Sequence, residues 1–407
     1  MLKIVAQAEA PTEVSVPTKL NAQVTPNVEV VARSDVKAEP QPQIAVPSDA
    51  ETKQVLRPQL KVRNGYSMIK KVPTVLIFGV SSFIGSNLAE LLRREFHVVG
   101  TYHEHPVHIP GVLTFSCDVL KKNAVQSVIF HFRPDITIYA VGLSSVQDCR
   151  RHPQLAETLN TGGVYNVSEF CDRYKSMLVY LSSAFVFQGD DCTYLESDNP
   201  NSNTVFGHSK SSIEFYIQRT SINYLILRCC NIYGRSHHPC QLTKFEELQN
   251  SCINGQEFVA DRHVVMGHLD VVYLGMIIKL CWENKISNRL FHVSSSDQLS
   301  YFDFAQLYAK VFAQSALHIR PGIWLLNSSN DSEELFFRLD TANLAGQINV
   351  ALPSIEESLR LTQQRWHINA PLRYWEEQWH KVHDKAPEKA AAQDASTPSA
   401  NSADPTT

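Results

Sequence analysis

The chain predicts an α/β fold in which a doubly wound parallel sheet carries a smaller C-terminal lobe. Three observations lead there. Short apolar runs alternate with stretches of helical spacing from Thr74 to Leu227; a glycine-containing turn, GVSSFIG, directly follows the first run; and the alternation loosens after Gly234. A run that is apolar at every position is a strand buried on both faces, as a parallel sheet covered by helices on each side requires.

The elements follow in order. Residues 75–78 form the first strand, and Ile84, Leu88, Leu91 and Leu92 recur at the spacing of one helix face. Residues 97–99 open a second strand, which completes a βαβ unit. Residues 113–115 read as the third strand. Val125, Val128, Ile129 and Phe132 mark the face of a helix that Pro134 stops before a strand over 136–140. A helix over 155–174 leads to a strand at 177–181, and one over 207–219 to a strand at 224–227, six strands in all. Beyond Gly234, isolated segments such as 271–282 and 302–313 are expected to build the smaller lobe over the strand ends, where open α/β sheets bind ligands.

Composition sets the limits of this fold. Residues 1–66 contain no Cys, Trp, Phe or His and are broken by seven prolines, so they cannot bury enough apolar surface to offset their chain entropy. Residues 384–407, rich in Ala, Pro, Ser, Thr and Lys, read the same way. The expected organisation is a disordered segment over 1–67, the main-sheet domain over 68–235, a lobe over 236–383 that returns some elements to the main sheet, and a disordered tail over 384–407. Nine scattered cysteines without a C-x-x-C pair fit reduced thiols, and no stretch approaches the roughly 20 apolar residues of a membrane span. A formal charge of −4 offers no basic excess for nucleic acid. The expectation is a cytoplasmic protein with neither membrane nor nucleic acid as partner.

The turn carries the first functional signal. Between a buried strand and an amphipathic helix, Gly79-Val80-Ser81-Ser82-Phe83-Ile84-Gly85 points backbone N–H groups at a helix N-terminus, a place suited to a pyrophosphate. Gly79 allows the tight turn and Gly85 the close approach of helix to strand; glycines that merely end a strand are the plainer alternative. A strand that serves NAD ends in a carboxylate for the ribose 2′-OH. Here the second strand runs into Gly100-Thr101-Tyr102-His103 with no acid before Glu104, which favours NADP, with Thr101 or His103 beside the 2′-phosphate, and leaves NAD open. His103, His105 and His108 share one loop without a cysteine or a helical i, i+4 pair, so the loop is expected to be solvated and to hold no metal.

Further landmarks come in a fixed order. LSSAFVFQG covers 181–189; Tyr194, Glu196, Asp198 and Pro200 alternate after it; NTVFGHSK covers 203–210; Leu227 and Arg228 lead to Tyr233 and Gly234. HLDVV at 268–272, FHVSSSDQLSYFDFAQ at 291–306, RLDTANL at 338–344 and then Pro353 complete the series. In this order the chain resembles the extended short-chain dehydrogenase/reductases of the NAD-dependent epimerase/dehydratase superfamily. Within them it is most similar to the dTDP-4-dehydrorhamnose reductase type and its relative, the regulatory β subunit of methionine adenosyltransferase. The resemblance spans about residues 72–361.

The resemblance implies an NAD(P)-binding Rossmann domain with a smaller substrate lobe. It implies the pyrophosphate at Gly79, Ser82, Phe83, Ile84 and Gly85, the adenine and its ribose near Asp118, Val119, Ala140, Val141 and Gly142, and a supporting role for Asn160. It also implies that Ser183 hydrogen-bonds the substrate carbonyl and that Lys210 holds the nicotinamide ribose. Three of these have plain structural alternatives: Asp118 as the N-cap of a helix over 119–132, Ser183 as a strand-end cap, and Lys210 as an exposed helical lysine.

Three departures stand out. The family's Gly-x-x-Gly-x-x-Gly has Ser82 at its middle position, whose side chain either crowds a phosphate or donates to it. Its Val-Asp-x-x-Glu before a proline reads Val146-Gln147-Asp148-Cys149-Arg150 before Pro153. In active members a tyrosine four residues before the lysine gives up a proton as hydride arrives, its pKa lowered by that lysine; Phe206 stands in its place. The expectation is an NAD(P)-binding, sugar-nucleotide reductase-like protein with impaired catalysis, a pseudoenzyme. The alternatives are a non-catalytic regulatory or scaffold protein that contacts a protein partner, and a sugar-nucleotide epimerase or dehydratase, which depends on the same tyrosine.

Overall fold

The computed structural model describes residues 72–221, 223–237, 242–324 and 334–368; the expectations for 1–67 and 384–407 lie outside them. Along the chain come β1 (Thr74–Phe78), α1 (Phe83–Leu92), β2 (His97–Tyr102), β3 (Leu113–Ser116), α2 (Lys122–Phe132), β4 (Ile136–Tyr139), α3 (Val146–Arg151), α4 (Pro153–Glu157), α5 (Gly163–Tyr174) and β5 (Met177–Ser183). Then follow β6 (Thr193–Tyr194), α6 (Val205–Thr220), β7 (Tyr224–Cys229), β8 (Asn231–Tyr233), α7 (Lys244–Asn254), β9 (Phe258–Asp261), β10 (Val264–Met266), β11 (His268–Asp270) and α8 (Val271–Glu283). The remainder is β12 (Arg289–Val293), β13 (Leu299–Ser300), α9 (Tyr301–Val311), β14 (Ile319–Gly322), β15 (Leu335–Leu339), α10 (Ala342–Ile348) and α11 (Ile355–Ile368).

Seven parallel strands form the main sheet in the order β12-β7-β5-β4-β1-β2-β3. The alternation of inward residues explains why β1 is apolar from Val75 to Phe78. Val75 and Ile77 pack with Leu88 and Leu92 of α1 and Ile277 of α8 on one face, while Leu76 and Phe78 pack with Ile129 of α2, Phe170 of α5 and Ile217 of α6 on the other. The strand order reverses between β1 and β4, so their C-terminal ends mark the switch point of the sheet. A four-stranded sheet, β13-β10-β15-β6, and an aromatic cluster of Tyr233, Phe245, Phe304 and Tyr308 build the region beyond it. No helix among the described residues is long and apolar enough to cross a membrane.

Two sequence expectations need correcting. Six strands become seven because β12 returns to pair with β7, from Arg289↔Leu225 to Val293↔Cys229; only three of its five residues are buried, which leaves too short an apolar run to read as a strand. The single helix over 155–174 is interrupted by a π turn at Thr158–Gly162. That turn buries Asn160 and offers the Leu159 carbonyl to the Tyr139 hydroxyl at 2.8 Å. A Cβ at Gly163 would come within 2.2 Å of the same hydroxyl oxygen, so the turn closes only over a glycine.

Helix α6 is pinned from beneath. Glu214, fully buried, accepts from Arg228 Nε at 3.1 Å and Nη2 at 2.8 Å and also takes the Ser182 hydroxyl. Arg228 Nη1 faces His292 Nε2 at 3.4 Å, which brings β12 into the same network. A buried ion pair gains little over apolar packing, but removing one partner strands a charge. Glu214→Ala is expected to cost about 3–5 kcal/mol in a denaturant titration, and adding Arg228→Met should recover a large part of it. Equal losses in the single and double variants would show that α6 is held by something else.

Candidate functional site

The turn after β1 is shaped by close approach. Gly79 has a φ of 85°, and a Cβ there would lie 2.6 Å from the Ala140 carbonyl oxygen at the end of β4. The Gly79 and Val80 amides donate to the Thr101 carbonyl at 2.9 and 2.8 Å, which ties the turn to the end of β2. A Cβ on Gly85 would stand 2.2 Å from the Gly79 oxygen. Ser82 is the N-cap of α1, its hydroxyl accepting the Gly85 amide at 3.0 Å. The amides of Phe83 and Ile84 keep no partner among the described residues, so two donors remain at the positive end of the helix.

Around the ends of β2 and β3 the predicted residues converge unevenly. Thr101 is buried and its hydroxyl has no partner among the described residues. His103 is exposed, its Nε2 3.9 Å from Asp118 Oδ2, and Lys121 Nζ approaches the same oxygen at 3.7 Å. Asp118 does not cap the helix: Lys121 is the N-cap of α2 and contributes no side-chain bond, while Asp118 Oδ1 accepts the Leu120 amide at 3.0 Å and turns the chain ahead of the helix. Val119 is buried, and its carbonyl takes Asn166 Nδ2 at 3.0 Å. Ala140, Val141 and Gly142 line the end of β4; Gly142 has a φ of 133°, and a Cβ there would meet Asn160 Oδ1 at 2.2 Å. Among the described residues no three of His, Cys, Asp and Glu are grouped to hold a metal.

The other end of the site gathers Ser183, Phe206 and Lys210. Ser183 closes β5, and its hydroxyl accepts the Phe185 amide at 3.3 Å. Phe206 is only 5% exposed and packs with Cys149 and Ala156 against Leu143, Val146 and Phe185. One helical turn on, Lys210 Nζ donates to the Leu181 carbonyl at 2.9 Å and lies 5.1 and 5.7 Å from the ring centres of Tyr180 and Phe206. Burial lowers its ammonium to about 8. Asn160 Oδ1 accepts the Leu143 amide at 2.9 Å, and its Nδ2 donates to the Leu143 carbonyl at 3.2 Å and to Ser209 Oγ at 3.1 Å. His208, two residues from Phe206, is exposed on the outer side of α6.

Some contacts of this site escape the sequence reading. Gln147 Nε2 donates to the Trp324 carbonyl at 2.6 Å, which ties α3 to the chain after β14. Lys121 meets Asp118 only through the turn before α2. Glu214, which anchors α6, did leave a signal, since it lies one helical turn past Lys210. Chemically, the arrangement can receive a diphosphate at the turn and orient a carbonyl at Ser183. It offers no proton from the ring of Phe206.

Comparison with known proteins agrees with the fold. The RmlD substrate binding domain family matches residues 73–364. The probable low-salt glycan biosynthesis reductase Agl14 of Haloferax volcanii is 24% identical over 294 residues, which cover 70% of this chain and 95% of that protein. Methionine adenosyltransferase 2 subunit beta of Bos taurus is 24% identical over 254 residues, 61% of this chain and 74% of that one. The solved dTDP-4-dehydrorhamnose reductase of Bacillus anthracis, in complex with NADP, shares the fold with a TM-score of 0.61 at 22% identity, over 73% of this chain and 98% of that one. The chain belongs to the RmlD substrate binding domain family, the dTDP-4-dehydrorhamnose reductase type of short-chain dehydrogenase/reductase to which the methionine adenosyltransferase β subunit is also related.

Proposed function

We propose that this chain binds a nicotinamide dinucleotide at the switch point and is a reductase-like protein whose catalysis is impaired. One observation carries the reading: the residue one turn before Lys210 is Phe206, buried in an apolar cluster, while Ser183 and Lys210 keep their places. The residues present fit the dinucleotide. Gly79 and Gly85 leave no room for a Cβ, the Phe83 and Ile84 amides can receive pyrophosphate oxygens, and the buried Thr101 hydroxyl lacks a partner. With no carboxylate at the end of β2, Thr101 and His103 favour NADP over NAD.

When bound, the dinucleotide supplies hydride to a carbonyl, here that of a nucleotide-linked 4-keto sugar. Ser183 orients that carbonyl, and Lys210 stands where the family's lysine holds the nicotinamide ribose. Phe206 cannot protonate the product oxygen, a step typically worth about 10²–10⁴-fold. We assign residues 68–235 to dinucleotide binding and 236–383 mainly to the substrate side. The eight free cysteines among the described residues, seven of them buried, suit the reducing cytoplasm.

A second reading, a regulatory protein that contacts a protein partner, is favoured by the name of one relative as a subunit and by the loss of the acid at Phe206. An epimerase or dehydratase would need the same acid and gains no support from the geometry.

Two measurements test the proposal. Phe206→Tyr is expected to raise NADPH-dependent reduction of a dTDP-linked 4-keto sugar by about 10²-fold, followed by loss of NADPH absorbance. A wild-type chain that already turns over briskly, and is untouched by Lys210→Ala, would sink the impaired-catalysis reading. The hydroxyl of Ser82 occupies a position that a phosphate oxygen takes on a helix N-terminus, and a cap bond of this kind is worth about 1 kcal/mol. Ser82→Gly should therefore tighten NADPH binding about 5-fold in a fluorescence titration, and weaker binding would show that the hydroxyl donates to the phosphate.

A further inference from the structure

A hydrogen bond joins the lobe to the main sheet beside the proposed carbonyl site. Strands β4 and β5 are parallel neighbours, so α3, which follows β4, and Ser183, which ends β5, leave the sheet at the same end. Two walls rise there. On one side Val146 and Cys149 of α3 pack with Phe206; on the other Phe185, two residues past Ser183, has its ring centre 4.6 Å from that of Phe337 on β15. A sugar presented to Ser183 has to fit between α3 and the lobe. Gln147 sits in the first turn of α3, and its bond to the Trp324 carbonyl at 2.6 Å ties the two walls together.

Trp324 is a fixed point of the lobe. Its amide donates to Asp261 Oδ2, on a carboxylate only 2% exposed whose other oxygen takes the His263 and Val264 amides at 2.8 and 2.9 Å. Its indole Nε1 donates to the Val259 carbonyl at 3.2 Å, and its ring centre lies 4.7 Å from that of Tyr301. With amide, indole and carbonyl all engaged, the Gln147 bond acts on a rigid anchor. The Gln147 amide is oriented as well, because its Oε1 accepts the Ser145 hydroxyl at 3.1 Å and so turns the nitrogen toward Trp324. A carboxylate, which the resemblance implies at position 147, has no hydrogen to give and would set anionic oxygens against that carbonyl. A neutral donor is what lets this contact form.

We infer that Gln147 is a positioning residue that, through Trp324, latches the lobe against α3 and keeps the space before Ser183 too narrow for a sugar nucleotide. The inference rests on the reading of Ser183 as the carbonyl-side residue and adds a specificity to it: the dinucleotide, held at the other end of the site, is indifferent to the latch, whereas a sugar nucleotide binds only the unlatched form. A ligand that needs a minor form loses affinity in proportion to that form's population. One net hydrogen bond is worth up to about 10-fold in such a population, which sets the size of the effect.

Isothermal titration of the full chain with dTDP-glucose and with NADP⁺, for wild type, Gln147→Met and Gln147→Glu, tests this. Met keeps the length of the side chain without the donor, and Glu adds a charge that by itself would repel the diphosphate. Both variants are expected to bind dTDP-glucose about 5- to 10-fold tighter than wild type while NADP⁺ affinity moves by less than about 2-fold. A Gln147 side chain that served stability alone would lower the melting temperature of both variants without this gain. If wild type binds dTDP-glucose and neither variant binds it tighter, the latch is overturned and the sugar-nucleotide reading stands. If none of the three chains binds dTDP-glucose, both fall.

Discussion

The close approach of β1 to β4 governs everything on the ligand face of the sheet. Gly79 lies against the Ala140 carbonyl with no space for a Cβ, and its amide is spent on the carbonyl of Thr101. The direction of α1, the position of its free amides and the burial of Thr101 all follow from that contact. Widening it would separate the β2 and β4 ends and dissolve the cradle. The site is thus a property of the sheet's packing more than of any one side chain.

Much of this was legible from residue order. The buried strands announced themselves because helices cover both faces of the sheet, which forces an apolar residue at each position from Val75 to Phe78 and makes the turn after them conspicuous. Where a feature depends on distant partners, the chain gave little notice. The π turn is fixed by Asn160 and by Tyr139, and TLNTG has no local residue that refuses an ordinary helix. The apolar cage of Phe206 comes from Cys149 and Ala156 on α3 and α4. Asp118 looked equally able to cap a helix, and only the folded turn shows that its carboxylate serves the Leu120 amide instead.

Phe206 also looks different in three dimensions. A tyrosine lost from an otherwise open site would leave a ring facing solvent, yet this ring is buried and its neighbours close around it. Gln147, where the resemblance implies a carboxylate, has taken a structural bond to Trp324. Ser82 has turned its hydroxyl inward as a cap. The changed positions share a direction: each now serves a contact within the chain.

Lys210 carries the remaining tension. Burial holds its ammonium near 8 against an ordinary value of 10.5, so between these two pH values the unfolded chain binds more protons than the native one. Below about pH 8 the native state bears the full cost of keeping this charge out of water, and the cost fades as the solution becomes more alkaline. At this position the fold favours releasing a proton. The lysine is a proton reservoir coupled to folding, whose setting any anion brought beside it would move upward.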